Sequence, residues 1–318
     1  MALFLTENDV KRLLTVDMAM EAVESAHRDL ALGQAIDTPR ARSRLPQTVL
    51  HILQGALPAQ GVIGYKAYTS NRSGNRFLVH LFDAATGGLK AIVESDYLGM
   101  MRTGAASGVA SKWLARPDAT VAGVLGSGWQ AEGHVRALCA ALPLELVKVY
   151  ARKTDKLRDF CARLSELTGV KVVPVAQVED AVRESDVIGT VTTASQPLFD
   201  PDWLSPGAHI NAAGSNALIR QELSEAAIRR CDFITVDSVP TALAEAGDLL
   251  PLLEKGRLHA RQLVELGDIL TGRHPGRTTP AQITLFESQG MAIQDLALAN
   301  RLLVCAERAG VGQVLPLA

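Results

Sequence analysis

The sequence has no excess of charge of either sign, little cysteine and no long apolar run. Its 32 basic side chains nearly balance 34 acidic ones, so no global field draws the chain to nucleic acid or to an anionic membrane, and the expected ligand is small. The four cysteines, Cys139, Cys161, Cys231 and Cys305, lie far apart, with no CxxC pair and no histidine at zinc-site spacing. No metal site is expected from them, and they read as reduced side chains of a cytoplasmic protein. No apolar stretch approaches the ~18 residues of a membrane span, and the opening MALFLTENDVKRLL lacks the basic leader of an export signal. Internal repeats and low-complexity tracts are absent as well. At 318 residues the chain is long enough for two domains or one large α/β domain.

The stretch ATVAGVLGSGWQA, residues 119–131, organises what is present. A β-rich run ends at Leu125, Gly126-Ser127-Gly128-Trp129-Gln130-Ala131 follows at once, and HVRALCAAL then has helical spacing. This is the strand, glycine turn and helix N-terminus of a dinucleotide site. Gly126 permits the sharp turn, Gly128 lets a pyrophosphate approach the backbone, and Ala131 lets helix and strand pack closely. The free amides and positive dipole end of the helix would hold the phosphates. Glycine turns also serve ordinary strand-to-helix corners. Here the context favours a cofactor, because the next strand begins about 20 residues later, as a parallel βαβ unit requires.

Upstream, Thr6-Glu-Asn-Asp9 reads as a capping box, and Thr15 as the cap of a second helix running to Gly33. His27 falls on the apolar spacing of that helix and reads as a packed residue. Asp37-Thr-Pro-Arg40 breaks the helix, and Arg40, Arg42 and Arg44 alternate along an extended segment, which puts them on one face. Strands are expected over 48–53, 64–69, 76–82 and 89–94, with 83–88 as a hairpin loop. A helix rich in glycine and alanine, suited to close backbone packing, follows from Ser95 to Leu114, and Arg116-Pro117-Asp118 ends it.

Downstream, strands near 120–125, 146–151, 171–173, 186–190, 208–211 and 233–236 alternate with helices. That alternation predicts a doubly wound parallel Rossmann sheet beside an α+β domain. The expected division is 1–117 for the α+β domain and 118–290 for the dinucleotide. The strands near Ile210 and Ile234 end at Gly214-Ser215-Asn216 and Asp237-Ser238, at carboxyl ends, where open α/β sheets bind ligands.

Three cations stand out for chemistry. Lys66 lies in an apolar and aromatic strand, Arg102 opens a helix of small residues, and Arg40 follows a proline at a domain edge. Converging, they would suit a substrate carboxylate, with arginine giving bidentate contacts. Taken singly, each reads first as a solvated surface charge, and Ser215 and Asn216 also read as turn residues.

Arg102-Thr-Gly-Ala-Ala-Ser, the 126–131 motif, and Thr284-Leu-Phe-Glu-Ser-Gln-Gly-Met-Ala-Ile-Gln-Asp-Leu-Ala297 together resemble the ornithine cyclodeaminase/μ-crystallin family, nearly from end to end. The family includes cyclodeaminases, an alanine dehydrogenase and imino-acid reductases. The resemblance implies that Arg40, Lys66 and Arg102 hold the substrate carboxylate. It implies that the N-terminal domain, 1–117, serves substrate binding and the dimerisation of a homodimer, and that a final helix, about 291–318, packs back on that domain. The cofactor contacts it leads us to expect are Thr103, Gly126, Ser127, Gly128, Trp129, Gln130, Ala131, Ala151, Arg152, Lys153, Thr192 and Ser215.

The departures from the family pattern bear on the reaction. Cyclodeaminases carry an aspartate where this chain has Asn216, and a neutral amide cannot act as a carboxylate base. Gln54-Gly55-Ala56-Leu57 offers no acid for a distal ammonium. The expectation is therefore NAD(P)H-dependent reduction of an α-imino acid, or its reverse, with Lys66 and Asn216 at the reacting centre. Redox-neutral ornithine cyclodeamination is the alternative, and an NADPH- and small-ligand-binding protein like μ-crystallin a second. After the strand near 146–150, Arg152 and Lys153 precede the first acid, Asp155. This favours NADP(H), with NAD(H) also open.

Overall fold

The computed structural model describes residues 2–215 and 217–316. Its chain opens with β1 (Leu3–Leu5), α1 (Glu7–Leu13) and α2 (Val16–Ala31), followed by β2 (Ile36–Arg44), β3 (Thr48–Leu57), β4 (Val62–Asn71), β5 (Gly74–Asp83), β6 (Leu89–Glu94) and α3 (Asp96–Leu114). Then come β7 (Val121–Leu125), α4 (Trp129–Ala141), β8 (Leu146–Tyr150), α5 (Leu157–Thr168), β9 (Lys171–Pro174), α6 (Val178–Val182), β10 (Val187–Thr190) and β11 (His209–Ala212). Next are α7 (Glu225–Arg229), β12 (Phe233–Val236), α8 (Val239–Glu245), α9 (Leu250–Glu254), β13 (Leu263–Glu265), α10 (Leu266–Leu270) and β14 (Thr284–Glu287), and the chain closes with α11 (Ala292–Ala309) and β15 (Gln313–Val314). Among the described residues, no helix is long and apolar enough to cross a membrane.

Packing divides the chain into two units. One holds the residues up to Arg102 and those from Met291 onward, the other Thr103–Gly290. The sequence suggests a join at 117/118, whereas packing divides the chain within α3. The reason is steric. A Cβ on Gly104 would stand 2.2 Å from the Gly133 carbonyl, and one on Gly108 3.0 Å from the Ala137 Cβ, so the second half of α3 lies directly against α4.

The first unit is built on the sheet β15-β1-β6-β5-β4-β3-β2. From β2 to β6 neighbouring strands are antiparallel, and β1 joins β6 in parallel. α1 starts with the expected capping box on Thr6 and Asp9. Asp37-Thr-Pro-Arg40 belongs to edge strand β2 and does not end the helix directly, since α2 has already stopped at Ala31. Pro39 is tolerated because β2 is an edge strand and its register shifts between Thr38 and Ala41. α11 lies over β3 and β4, where a Cβ on Gly55 would be 2.9 Å from Ile293 and one on Gly64 3.1 Å from Leu296. The same Cβ atoms would meet the Ile36 and His80 carbonyl oxygens of the neighbouring strands at 2.7 and 2.1 Å, so both positions are crowded from the helix and from within the sheet.

The second unit is the parallel sheet β13-β12-β14-β11-β10-β7-β8-β9. β8 and β9 extend from one side of β7, and the chain returns to place β10 on its other side. This reversal opens a crevice at the carboxyl ends of β7 and β10. β13 and β14 are not apparent from the alternation pattern. β13 has three residues, and β14 is inserted between β11 and β12 out of chain order.

Candidate active site

In the first unit, Lys66 projects from β4 and is only 3% exposed. Its Nζ donates to Asp295 Oδ1 at 2.8 Å, and Arg102 Nε donates to the same oxygen at 3.3 Å. Asp295 is fully buried in the first turn of α11, where the helix dipole favours a negative charge. Arg102 Nη1 donates to Gln294 Oε1 at 3.0 Å, and Gln294 Nε2 meets His27 Nε2 at 3.0 Å. An amide nitrogen only donates, so the His27 nitrogen accepts. His27 is thus a packed residue that helps to orient Arg102 through Gln294.

Arg40 joins this group through the irregularity in β2. Thr38 pairs with Gln54 and Ala41 with Ile52, which leaves Pro39 and Arg40 opposite Leu53, itself the partner of Lys66. Arg42 pairs with His51, which pairs with Tyr68, two residues along β4 from Lys66. The His51 and Tyr68 rings stack at 4.2 Å, and Lys66 Nζ is 5.3 Å from the centre of the Phe77 ring. Burial, more than any other influence, lowers Lys66 to about 8; Arg102 and Arg40 press it down further and Asp295 opposes them. Burial and then Arg42, Arg40 and Arg44 lower His51 to about 4, so His51 is neutral near pH 7.

In the second unit, Gly126 follows β7 with φ +123°, and a Cβ there would stand 2.8 Å from the Val191 carbonyl oxygen. Gly128 is the N-cap of α4, and a Cβ on it would meet nothing within 4 Å. The space before the helix amides is therefore open on the side where the pyrophosphate of a dinucleotide would lie. Ser127 and Gln130 are half-buried, Trp129 is exposed and Ala131 is buried against the sheet. At the end of neighbouring β8, Ala151 is buried, while Arg152 and Lys153 are exposed. These residues fit a dinucleotide, with Arg152 and Lys153 beyond the strand that carries the ribose-recognising position.

Thr103 is buried in α3. Thr192 follows β10, and both its N–H and its hydroxyl donate to Glu222 Oε1 at 2.6 Å. Ser215 donates its hydroxyl to the Arg220 carbonyl at 3.1 Å and accepts Gln289 Nε2 on its own carbonyl at 3.3 Å. Thr192 and Ser215 thus have hydroxyls committed within the protein. Asn216 lies outside the described residues.

Of the acids behind this edge, the sequence singles out Asp237 at its strand end but gives no role to Glu222, Asp248 or Glu287. Glu222 also accepts from Thr190 at 3.0 Å and from the Gly214 N–H at 2.9 Å, tying the ends of β10 and β11 together. Asp248 accepts the Glu222 and Leu223 amides at 2.6 and 2.8 Å. Asp237 accepts from Ser288 and from the Gln289 and Gly290 amides after β14. Burial raises Glu222 and lifts Asp248 to about 7; burial together with Asp248 and Glu222 raises Glu287 well above the carboxylate range. Asp295 was missed too, though an acid set among Ile293, Leu296, Ala297 and Leu298 was its signal. Among the described residues, no group of three or more His, Cys, Asp or Glu could hold a metal ion.

Known proteins share this architecture nearly from end to end. The model of the ornithine cyclodeaminase/mu-crystallin family matches residues 1–308. A Δ1-pyrroline-2-carboxylate reductase of Bacillus cereus is 33% identical over 98% of each chain. The Thermococcus litoralis Δ1-pyrroline-2-carboxylate reductase, solved with NADH and L-proline, superposes with a TM-score of 0.94 at 29% identity, over 98% of this chain and 100% of that one. An archaeal alanine dehydrogenase dimer with bound NAD gives 0.93 at 30% identity over 99% of each chain.

Proposed function

Because the chain belongs to the ornithine cyclodeaminase/μ-crystallin family, we propose that it reduces the C=N bond of an α-imino acid with a reduced nicotinamide dinucleotide, and runs in reverse as an amino-acid dehydrogenase. The observation that carries this reading is the shared carboxylate of Asp295. Lys66 and Arg102, two buried cations, divide one buried anion between them. Such a site is short of negative charge, and a substrate carboxylate supplies it.

In this reading Arg102 and Arg40 bind the substrate carboxylate. Lys66 gives one N–H to Asp295 and keeps two for the substrate. When bound, the reduced nicotinamide supplies the hydride that the imine carbon accepts. The C=N electron pair moves to nitrogen as the new C–H bond forms, and the proton that balances the amine comes from Lys66 or from water. Thr192 and Ser215 shape the crevice through their loops, and Thr103, Ser127, Trp129, Gln130 and Ala151 line the cofactor site. The arginine and lysine after β8 favour NADP(H); NAD(H) is the form bound in the relatives' structures.

A homodimer and a cytoplasmic location complete the proposal. On the sheet face away from α11, the cross-strand row Ile36, Ala56, Ile63 and Phe82 presents an apolar surface, with Ile36 61% and Ile63 47% exposed. A second copy would cover it. The four free thiols suit a reducing compartment.

The test is oxidation of NADPH and NADH with Δ1-pyrroline-2-carboxylate, with pyruvate plus methylamine and with oxaloacetate plus ammonia, beside an assay for proline from ornithine. Reduction of an imine without proline from ornithine supports the proposal. Proline formed without net oxidation of the cofactor would overturn it in favour of cyclodeamination, and no turnover at all in favour of a binding protein.

A further inference from the structure

The proposed function leaves the fully buried acid of α11 without a part in the reaction. We propose that Asp295 is a positioning residue that keeps Lys66 as an ammonium ion, aimed at the substrate, and so sets the pH above which the enzyme fails. The inference rests on the imine-reductase reading, in which Lys66 meets the substrate.

The geometry is one-sided. Asp295 comes to Lys66 from α11 at 2.8 Å, Arg102 comes from α3 through the same oxygen, and Arg40 acts from β2. β5 contributes the Phe77 ring, and β3 contributes Leu53. Asp295 is therefore the one negative side chain acting on Lys66 among the described residues. Its second oxygen, Oδ2, is buried and makes no hydrogen bond, so the carboxylate is committed to the two cations through Oδ1. Lys66 lies 229 residues from Asp295 in sequence, and α11 brings the acid to it by lying over β3 and β4, where Gly55 and Gly64 present no side chain to the helix.

The sign of the effect follows. Burial, Arg102 and Arg40 all favour neutral Lys66, and Asp295 alone favours the cation, through both its charge and its hydrogen bond. A neutral amine neither attracts the substrate carboxylate nor donates the proton that the new amine requires. With Asp295 in place, the cation persists up to about pH 8. Without it, every remaining influence acts downward.

The experiment is the pH profile of kcat/KM for Δ1-pyrroline-2-carboxylate in wild type, Asp295→Asn and Asp295→Glu, with cofactor affinity and circular dichroism as controls of the fold. The expected result is an alkaline limb about one pH unit or more lower in Asp295→Asn, hence a loss of roughly tenfold near the wild-type limb and a smaller loss on the acid side. Asp295→Glu, which keeps the charge, should restore the limb. A uniform loss at every pH with an unmoved limb would mean that Asp295 serves packing only, and overturns the proposal.

The 15N shift of Lys66 Nζ in lysine-labelled protein, assigned by its disappearance in Lys66→Met, reads the same change without turnover. It should titrate lower in Asp295→Asn, and an unmoved midpoint overturns the proposal. If Asp295→Asn does not fold, Arg102→Gln is the second variant. It removes a cation that opposes the lysine charge and leaves Asp295 to Lys66 alone, so the Nζ midpoint must rise, and one that stays or falls is contrary. Absence of imine reduction in wild type would instead sink the functional reading, a distinct outcome.

Discussion

At the scale of single residues, charge in the wrong surroundings is the informative feature. Lys66 and Arg102 are conspicuous because apolar or small neighbours surround them, and the structure buries both. Arg102→Ala should raise KM for the imino acid by roughly 10- to 100-fold, the value of one charged hydrogen-bond partner, while leaving NADPH affinity unchanged; steady-state kinetics and cofactor fluorescence check this. The acids were less legible than the cations. Asp295 sits 193 residues from Arg102, and nothing in local spacing joins them. Glu222 gains its character from burial, and Asp248 from burial with the Glu222 carboxylate beside it. Burial lifts Asp248 to about 7, so its protonated form favours folding; that contribution is complete below the ordinary carboxylate range and is lost as pH rises through about 7. Asp248→Asn keeps an acceptor for the Glu222 and Leu223 amides and removes the ionisation. From pH 5 to pH 8 the variant should therefore gain roughly 2 kcal/mol relative to wild type, read by urea unfolding at each pH.

At the scale of elements, the glycines separate packing from cofactor binding. Gly128 faces open space, so Gly128→Ala should leave unfolding stability within about 0.5 kcal/mol while weakening NADPH binding, because the methyl group enters the space before the α4 amides. A Cβ on Gly104 would stand 2.2 Å from the Gly133 carbonyl, so Gly104→Val should destabilise the fold by about 3 kcal/mol or more, with the loss seen as an earlier thermal transition. The capping box of α1, the span of α3 and strand β6 were legible because cap chemistry, helix-breaking proline and turn residues are local signals. β13 and β14 were not, since a short strand inside a parallel sheet carries no alternation of its own. The turn of β2 around Pro39 was hidden for a related reason: a bulge is defined by its partner strand, which the sequence does not display.

At the scale of the whole molecule, the apolar row Ile36, Ala56, Ile63 and Phe82 predicts association through the first unit. Ile63→Glu should shift the protein from dimer to monomer in sedimentation, and a wild-type monomer would remove that part of the proposal. The family and the doubly wound fold were legible end to end, because the glycine turn and the two flanking motifs fall at elements whose order the fold requires. The imine-reductase reading draws on Asn216 standing where the cyclodeaminases carry an acid. What ties these together is the claim that a substrate carboxylate completes the cationic pair around Asp295. The most direct test compares kcat/KM for Δ1-pyrroline-2-carboxylate with that for 2-methyl-1-pyrroline, which has the same imine and no carboxylate, in wild type and Arg102→Ala. The account predicts a preference for the acid of about 100-fold or more in wild type that shrinks by at least about tenfold in the variant. Equal reduction of both imines by the wild type would contradict it.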